Sequence, residues 1–243
     1  FALDVATRRT LWTRSEGVVV NSTITIADGR VHFVECRNPE VRASGQRRVA
    51  MRELWQSQFL TTLDARSGKL LWEKYIDVVD GLTVVYLACG EGKLVLVSSG
   101  SGTYHVRAFD ARNGKDLWEA RFPWPGDNHG AHMSRPAIVA GRVFVRPKVF
   151  DLATGKPVAP AMPKGGCGTY AATSRTLIFR AGSVAVWDFA SGKATRFPRL
   201  RPDCWLSTIP ACGMLLSPEG GGGCSCGSWM ETSVGFLPRA FDH

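Results

Sequence analysis

The stretch AFDARNGKDLW, residues 108–118, closes one apolar run, turns at Asn113-Gly114 and opens another at Leu117-Trp118. Nearly the same phrase reads LTTLDARSGKLLW at 60–72 and FALDVATRRTLW at 1–12. Weaker copies are VFDLATGKPV at 149–158 and VAVWDFASGKATRF at 184–197. Aligned on the aspartate, the copies fall at Asp4, Asp64, Asp110, Asp151 and Asp188, spaced 60, 46, 41 and 37 residues apart. A tryptophan follows eight positions later in the first three, at Trp12, Trp72 and Trp118. Glycine follows four positions after the aspartate at Gly68, Gly114, Gly155 and Gly192, whereas the first copy has Arg8 there.

This unit reads as a β-hairpin. A strand ends at the aspartate, whose carboxylate accepts from the amides of the turn. The glycine supplies a positive φ, and the tryptophan lies on the returning strand, where a large ring covers the gap to a neighbouring unit. A second hairpin precedes each copy. Residues 22–36 turn at Asp28-Gly29, 84–99 near Gly90–Gly92, 135–147 at Ala140-Gly141 and 169–182 at Ser174-Arg175. Two hairpins make a four-stranded sheet that recurs about every 40 residues, the pattern of β-propeller blades. The expected fold is therefore all-β, a propeller whose blades span 20–76, 83–122, 135–160, 168–198 and 205–239, with a half-blade at 1–15. The first of these blades carries an insertion at 37–56. Because the chain opens at Phe1 in the middle of a repeat, further sequence upstream is expected.

The phrase A-x-D-x-x-x-G-x-x-L-W, complete at Ala108, Asp110, Gly114, Leu117 and Trp118, resembles the tryptophan-docking repeat of quinoprotein-like propellers. These are the pyrroloquinoline-quinone (PQQ) dehydrogenases and their non-catalytic relatives. The later segment RPDCWLSTIPACGMLLSPEGGGGCSCGSW, from residue 201, resembles the cysteine-bearing end of PQQ-like repeat proteins of planctomycete-type bacteria. The resemblance implies a ring of seven or eight blades, of which this chain is part, or else a smaller ring. It also implies an extracytoplasmic location: periplasm, cell surface or secreted.

Composition sets the outer bounds. Apolar residues make up 44% and charged residues 21%, as in ordinary folded domains. No run reaches the roughly 18 apolar residues of a membrane helix; the longest, 81–98, is broken at 90–93. The net charge of +9 favours acidic partners. The basic residues are scattered and lie beside no nucleic-acid-binding motif, so nucleic acid is not the expected partner. Their densest set, Arg37, Arg42, Arg47, Arg48 and Arg52, shares the insertion with Trp55 and forms the candidate binding loop.

Catalytic parts are sparse. The resemblance implies, for a dehydrogenase, an adjacent-cysteine disulfide, a tryptophan floor, a calcium held by carboxylate and amide, and an aspartate base. The seven cysteines, at 36, 89, 167, 204, 212, 224 and 226, are never adjacent. The repeat aspartates already have a turn role. No catalytic residue is assigned, and neither PQQ nor a metal is the favoured cofactor. Cys167, Cys204, Cys224 and Cys226 are candidates for two disulfides suited to an oxidising compartment. A thiolate metal site at Cys224 and Cys226 is the alternative, and His129 and His132, with Asp127 and Met133, form a second candidate metal loop. Cys36 and Cys89 lie in apolar strands as small hydrophobes.

The leading functional expectation is a non-enzymatic scaffold that binds protein partners in a larger assembly. A redox or electron-transfer component using PQQ, heme or metal is one alternative. A carbohydrate-binding or carbohydrate-processing propeller, with Trp55, Trp124, Trp205 and Trp229 as stacking candidates, is another.

Overall fold

The computed structural model describes residues 1–45, 51–78, 82–100, 102–123, 135–166, 169–200, 202, 208–219 and 232–237. The chain divides into two compact units, 1–124 and 125–243. Both are built from antiparallel sheets of the propeller-blade kind.

The first unit opens with a two-stranded hairpin, β1 (Ala2–Leu3) and β2 (Thr10–Trp12). The next sheet comprises β3 (Val18–Val19), β4 (Thr25–Ala27), β5 (Arg30–Cys36), β6 (Gln58–Asp64) and β7 (Leu70–Ile76). Its order is β3-β5-β6-β7, and β4 shares the same edge of β5. A 3-10 turn at Asn21–Thr23 separates β3 from β4. Thr23 closes this break, its hydroxyl donating to Val20 O at 2.6 Å and accepting from Val34 N at 2.8 Å. The next sheet is regular: β8 (Leu82–Gly90), β9 (Lys93–Gly100), β10 (Thr103–Asp110) and β11 (Asp116–Pro123), paired in sequence order.

The second unit contains β12 (Ala137–Val139), β13 (Arg142–Val145) and β14 (Lys148–Asp151), with a single bridge from Phe150 to Pro157 beyond them. It continues with β15 (Ala171–Ala172), β16 (Thr176–Ala181), β17 (Ser183–Asp188) and β18 (Ala194–Phe197). The last sheet is β19 (Ile209–Ala211), β20 (Met214–Ser217) and β21 (Val234–Phe236).

The repeated phrase folds into one turn, made five times. The amides of Asp4, Asp64, Asp110, Asp151 and Asp188 donate to the carbonyls of residues five positions later, Arg9, Lys69, Lys115, Lys156 and Lys193. Each aspartate carbonyl in turn accepts from the residue four positions later. In four copies a hydroxyl three positions on (Thr7, Ser67, Thr154, Ser191) also donates to the aspartate carboxylate. Arg8 takes the glycine's place at φ 57°, a left-handed conformation that a side chain adopts only under strain.

The residue before each of the last four aspartates is buried: Leu63, Phe109, Phe150 and Trp187. Between the two full sheets of the first unit, Val34, Leu60 and Ile76 pack with Val85, Leu87, Leu94, Leu96 and Phe109. In the second unit, Phe144, Val149, Leu177, Phe179 and Trp187 form the corresponding core. Each such side chain contributes roughly 1.5–3 kcal/mol by leaving water. The tyrosine hydroxyl that this core buries, Tyr170, donates to Phe144 O at 2.6 Å.

The repeat tryptophans join successive sheets of the first unit. The indole of Trp12 donates to Ala65 O at 3.0 Å, and that of Trp72 to Ala111 O at 3.2 Å. Each ring lies against the turn glycine of the next repeat. A Cβ on Gly68 would stand 2.5 Å from the Trp12 ring, and one on Gly114 would stand 2.7 Å from the Trp72 ring.

Candidate binding surface

At the end of β5 the chain leaves the sheet and returns at β6 only after the inserted segment. Asn38 starts a short helix, α1 (Pro39–Ala43): its side chain accepts from Glu40 N at 2.9 Å, and proline occupies the first turn, where no amide is needed. Val41 is buried beneath the helix, while Glu40 and Arg42 are exposed. A 3-10 turn, Arg52–Trp55, leads back to the sheet. Carbonyls of this turn and of the residue after it find side-chain donors: Gln58 Nε2 donates to Leu54 O, and Cys36 Sγ donates to Gln56 O at 3.2 Å.

Under this segment lies Glu35, fully buried within the apolar run VHFVEC. Burial alone would raise its pKa, but two guanidiniums more than reverse that, and the carboxyl is held below its usual value. Arg14 reaches Glu35 through Nη2 at 2.7 Å and Nε at 3.1 Å. Arg37 reaches it through Nη2 at 2.7 Å and Nε at 2.9 Å, and also pairs with Glu73 on β7. The hydroxyl of Thr61 adds a bond at 3.3 Å. The Arg37 guanidinium also lies over the Phe59 ring, 4.1 Å from its centroid. Gly17 passes directly above: a Cβ there would meet Cys36 O at 2.8 Å and the Glu35 side chain at 3.2 Å.

This geometry divides the candidate binding loop. Arg37 is committed to Glu35 and Glu73. Trp55 is half-buried against the core cluster rather than displayed. Arg42 donates to Ser15 O at 3.2 Å and borders a surface cavity of about 540 Å³ with Ser15, Gly17, Val18 and Pro39. Arg52 is exposed, and Arg47 and Arg48 lie outside the described residues. Among the described residues, the exposed charged side chains of the segment are therefore Glu40, Arg42 and Arg52.

Most other predicted groups fall elsewhere. His129, His132, Asp127, Met133, Cys167, Cys204, Cys224, Cys226, Trp124, Trp205 and Trp229 lie outside the described residues. Cys36, Cys89 and Cys212 are free thiols. Cys36 is buried as expected of a small hydrophobe, Cys89 is only half-buried, and Cys212 is exposed in a turn. Sequence reasoning passed over Glu35 and Arg14. The available signal was a carboxylate inside an otherwise apolar strand, which must find a cation when it is buried.

Among the described residues no three His, Cys, Asp or Glu side chains converge to hold a metal ion. Among the described residues, no helix is long and apolar enough to cross a membrane.

A family model described as PQQ_2, outer membrane protein assembly factor BamB, matches residues 1–194. No curated protein matches the chain. Among solved structures, BamB from Moraxella catarrhalis is 18% identical, with a TM-score of 0.47, and the match covers 75% of this chain and 50% of that one. Quinohemoprotein alcohol dehydrogenase from Comamonas testosteroni is 14% identical with a TM-score of 0.49, covering 80% of this chain and 39% of that one. A europium-containing methanol dehydrogenase is 15% identical with a TM-score of 0.43, covering 72% and 41% respectively. This chain thus spans half or less of the length of these structures.

Proposed function

We propose, for a chain that belongs to the PQQ_2 family described by the outer membrane protein assembly factor BamB, a role as a propeller that binds a protein partner within a larger extracytoplasmic assembly. The observation that carries this reading is the clamp beneath the inserted segment. A buried carboxylate holding two guanidiniums is a demanding arrangement, because removing either partner leaves an uncompensated charge. Here it fixes the base of a loop whose outer face bears Glu40, Arg42 and Arg52. A loop fixed in advance loses less conformational freedom when it binds, which suits a protein interface. The net charge of +9 favours a partner with an acidic surface.

Site-directed photo-crosslinking in intact cells tests this reading, with the probe placed at Glu40, Arg42 or Arg52 and, as a control, at Lys193 in the second unit. One discrete product shared by the three loop positions and absent from the control is the expected result. Loss of that product in Arg42→Glu would tie it to the loop. Failure of all three positions to crosslink, together with a stoichiometric quinone, heme or metal in the purified protein, would replace this reading with a redox role.

A further inference from the structure

At the opposite end of β5 from Glu35 lies a second feature, which the repeat does not explain. Strand pairing sets His32 opposite Thr62, Val95 opposite Ala108, Phe144 opposite Val149 and Ile178 opposite Val186. Each pair stands two residues in from the aspartate turn. Three repeats fill that register with apolar side chains. The first fills it with a polar pair, both members buried, joined by a 2.7 Å bond between His32 Nδ1 and Thr62 Oγ1. Blade packing does not require the histidine.

His32 borders a cavity of about 310 Å³ between the two full sheets of the first unit, lined also by Ala27, Asp28, Arg30, Gly92, Ala111 and Arg112. At about 30 Å³ per water, this volume suits one side chain or a small molecule rather than a nucleotide. The Arg30 side chain makes one hydrogen bond among the described residues, from Nη1 to Ala111 O at 3.1 Å. The same carbonyl accepts the Trp72 indole, so it is a fixed anchor for the guanidinium. None of the ion pairs among the described residues involves Arg30. Among the described residues its Nε and Nη2 have no partner and form a two-donor edge, the edge that matches a carboxylate. Arg112 stands at the exposed mouth, 3.5 Å from Asp110. The lining thus sets two guanidiniums against the carboxylate of Asp28, with Arg112 paired outside the cavity to Asp110 and Arg30 in no ion pair among the described residues.

We propose that this cavity receives the carboxylate of an acidic side chain, held by the Nε/Nη2 edge of Arg30 with Arg112 at the mouth and His32 at the back. Asp28 in the lining disfavours a polyanion, and the volume excludes a large one. That the carboxylate comes from a partner protein rests on the assembly reading above; that the cavity takes a carboxylate does not. His32 is held neutral at ordinary pH, its pKa lowered to about 4 first by burial and then by the Arg30 charge, with Asp28 opposing. It therefore adds no charge of its own to the site and reports on a charge arriving beside it.

Titration of the full chain, followed through the His32 ring resonances, tests the proposal with three probes: acetyl-Gly-Glu-Gly-amide, its Gln counterpart and inorganic phosphate. The Glu peptide is expected to give a saturable shift, the Gln peptide none, and phosphate a weaker one. Arg30→Thr places in the site the residue that the fourth-sheet strand β16 carries at this register, Thr176, so the strand tolerates it. It is expected to weaken binding at least tenfold. Asp28→Asn preserves an Asn-Gly turn and is expected to tighten binding severalfold, a gain that misfolding could not produce. No saturable shift, an equal response to the Gln peptide, or indifference to Arg30→Thr would overturn the site. Phosphate binding more tightly than the Glu peptide would overturn the side-chain assignment in favour of a free oxyanion. If the crosslinking above fails while the Glu peptide binds, the assembly reading falls and the site stands.

Discussion

The indole N–H of Trp72 donates to the carbonyl oxygen of Ala111 across 3.2 Å, and the six-membered ring occupies the space where a side chain on Gly114 would stand. One repeat thus closes on the backbone of the next, and the glycine is needed for both its conformation and its smallness. Gly114→Ala meets both demands at once, with φ at +72° and a Cβ 2.7 Å from the ring. A loss on the order of 3 kcal/mol is expected, from left-handed strain of roughly 1–2 kcal/mol plus displacement of the indole. Gly92→Ala has nearly the same φ, +73°, but open space around it, and should lose only the strain. Urea denaturation of both variants checks this; equal losses would mean that the tryptophan contact contributes nothing.

Glu35→Gln should destabilise the first unit by roughly 3–5 kcal/mol, because Arg14 and Arg37 keep their charges without the carboxylate that neutralises them. Since the folded pKa of Glu35 lies below the ordinary glutamate value, its contribution is present above that ordinary value. It is lost as pH falls through the folded one. Wild type should therefore show an acid-side loss of stability that Glu35→Gln lacks, read as denaturation midpoints between pH 6 and pH 3. A parallel pair of profiles would remove the clamp from the argument.

His32 gives a separate slope in a different window. Its folded pKa, about 4, lies below the unfolded value of about 6.5, so the unfolded chain binds the proton first as pH falls. Stability should be flat above about pH 6.5, decline by on the order of 3 kcal/mol down to about pH 4, and level off below that. Replacing the pair by the residues of the second full sheet, His32→Val with Thr62→Ala, should abolish this part of the profile.

The three described thiols should separate by reactivity. Burial raises the pKa of Cys36 and pushes that of Cys89 up to about 11, whereas Cys212 is exposed. Because the thiolate is the reactive form, iodoacetamide at pH 8 should modify Cys212 at least tenfold faster than either of the others. Peptide mass spectrometry at timed intervals measures the rates, and rapid labelling of Cys36 would contradict its burial.

What could be read from sequence was the local chemistry. The aspartate turn is written within five consecutive residues, so Asp64 to Gly68 or Asp110 to Gly114 announces its own hydrogen bonds. The Asp28-Gly29 and Ala140-Gly141 turns are equally self-contained. Glu35 is different in kind. Its partners Arg14 and Arg37 lie 21 residues before it and two after it, and Glu73 comes 38 residues later. No window of sequence contains the network. For the same reason Arg37 looked like one more cation of a basic loop, when it is already neutralised, and Trp55 looked like a display position, when it is half-buried against the core. The Nε/Nη2 edge of Arg30 was likewise hidden, because the side-chain bond it makes among the described residues reaches Ala111, 81 residues away.

The first turn of the blade has a consequence for how such a chain can diversify. Asp28-Gly29, Glu91-Gly92, Ala140-Gly141 and Cys212-Gly213 all have positive φ at both positions, 49–51° at the first residue and 68–73° at the glycine. An acid, another acid, a methyl group and a thiol thus occupy one geometry. The turn's shape is carried by its second residue and by the strands that flank it, so the first residue can change identity without redrawing the backbone. These four repeats, unlike the one that turns at Ser174-Arg175, consequently hold an interchangeable position at a set height on the sheet, and selection can vary the chemistry of one blade without renegotiating the architecture of the others.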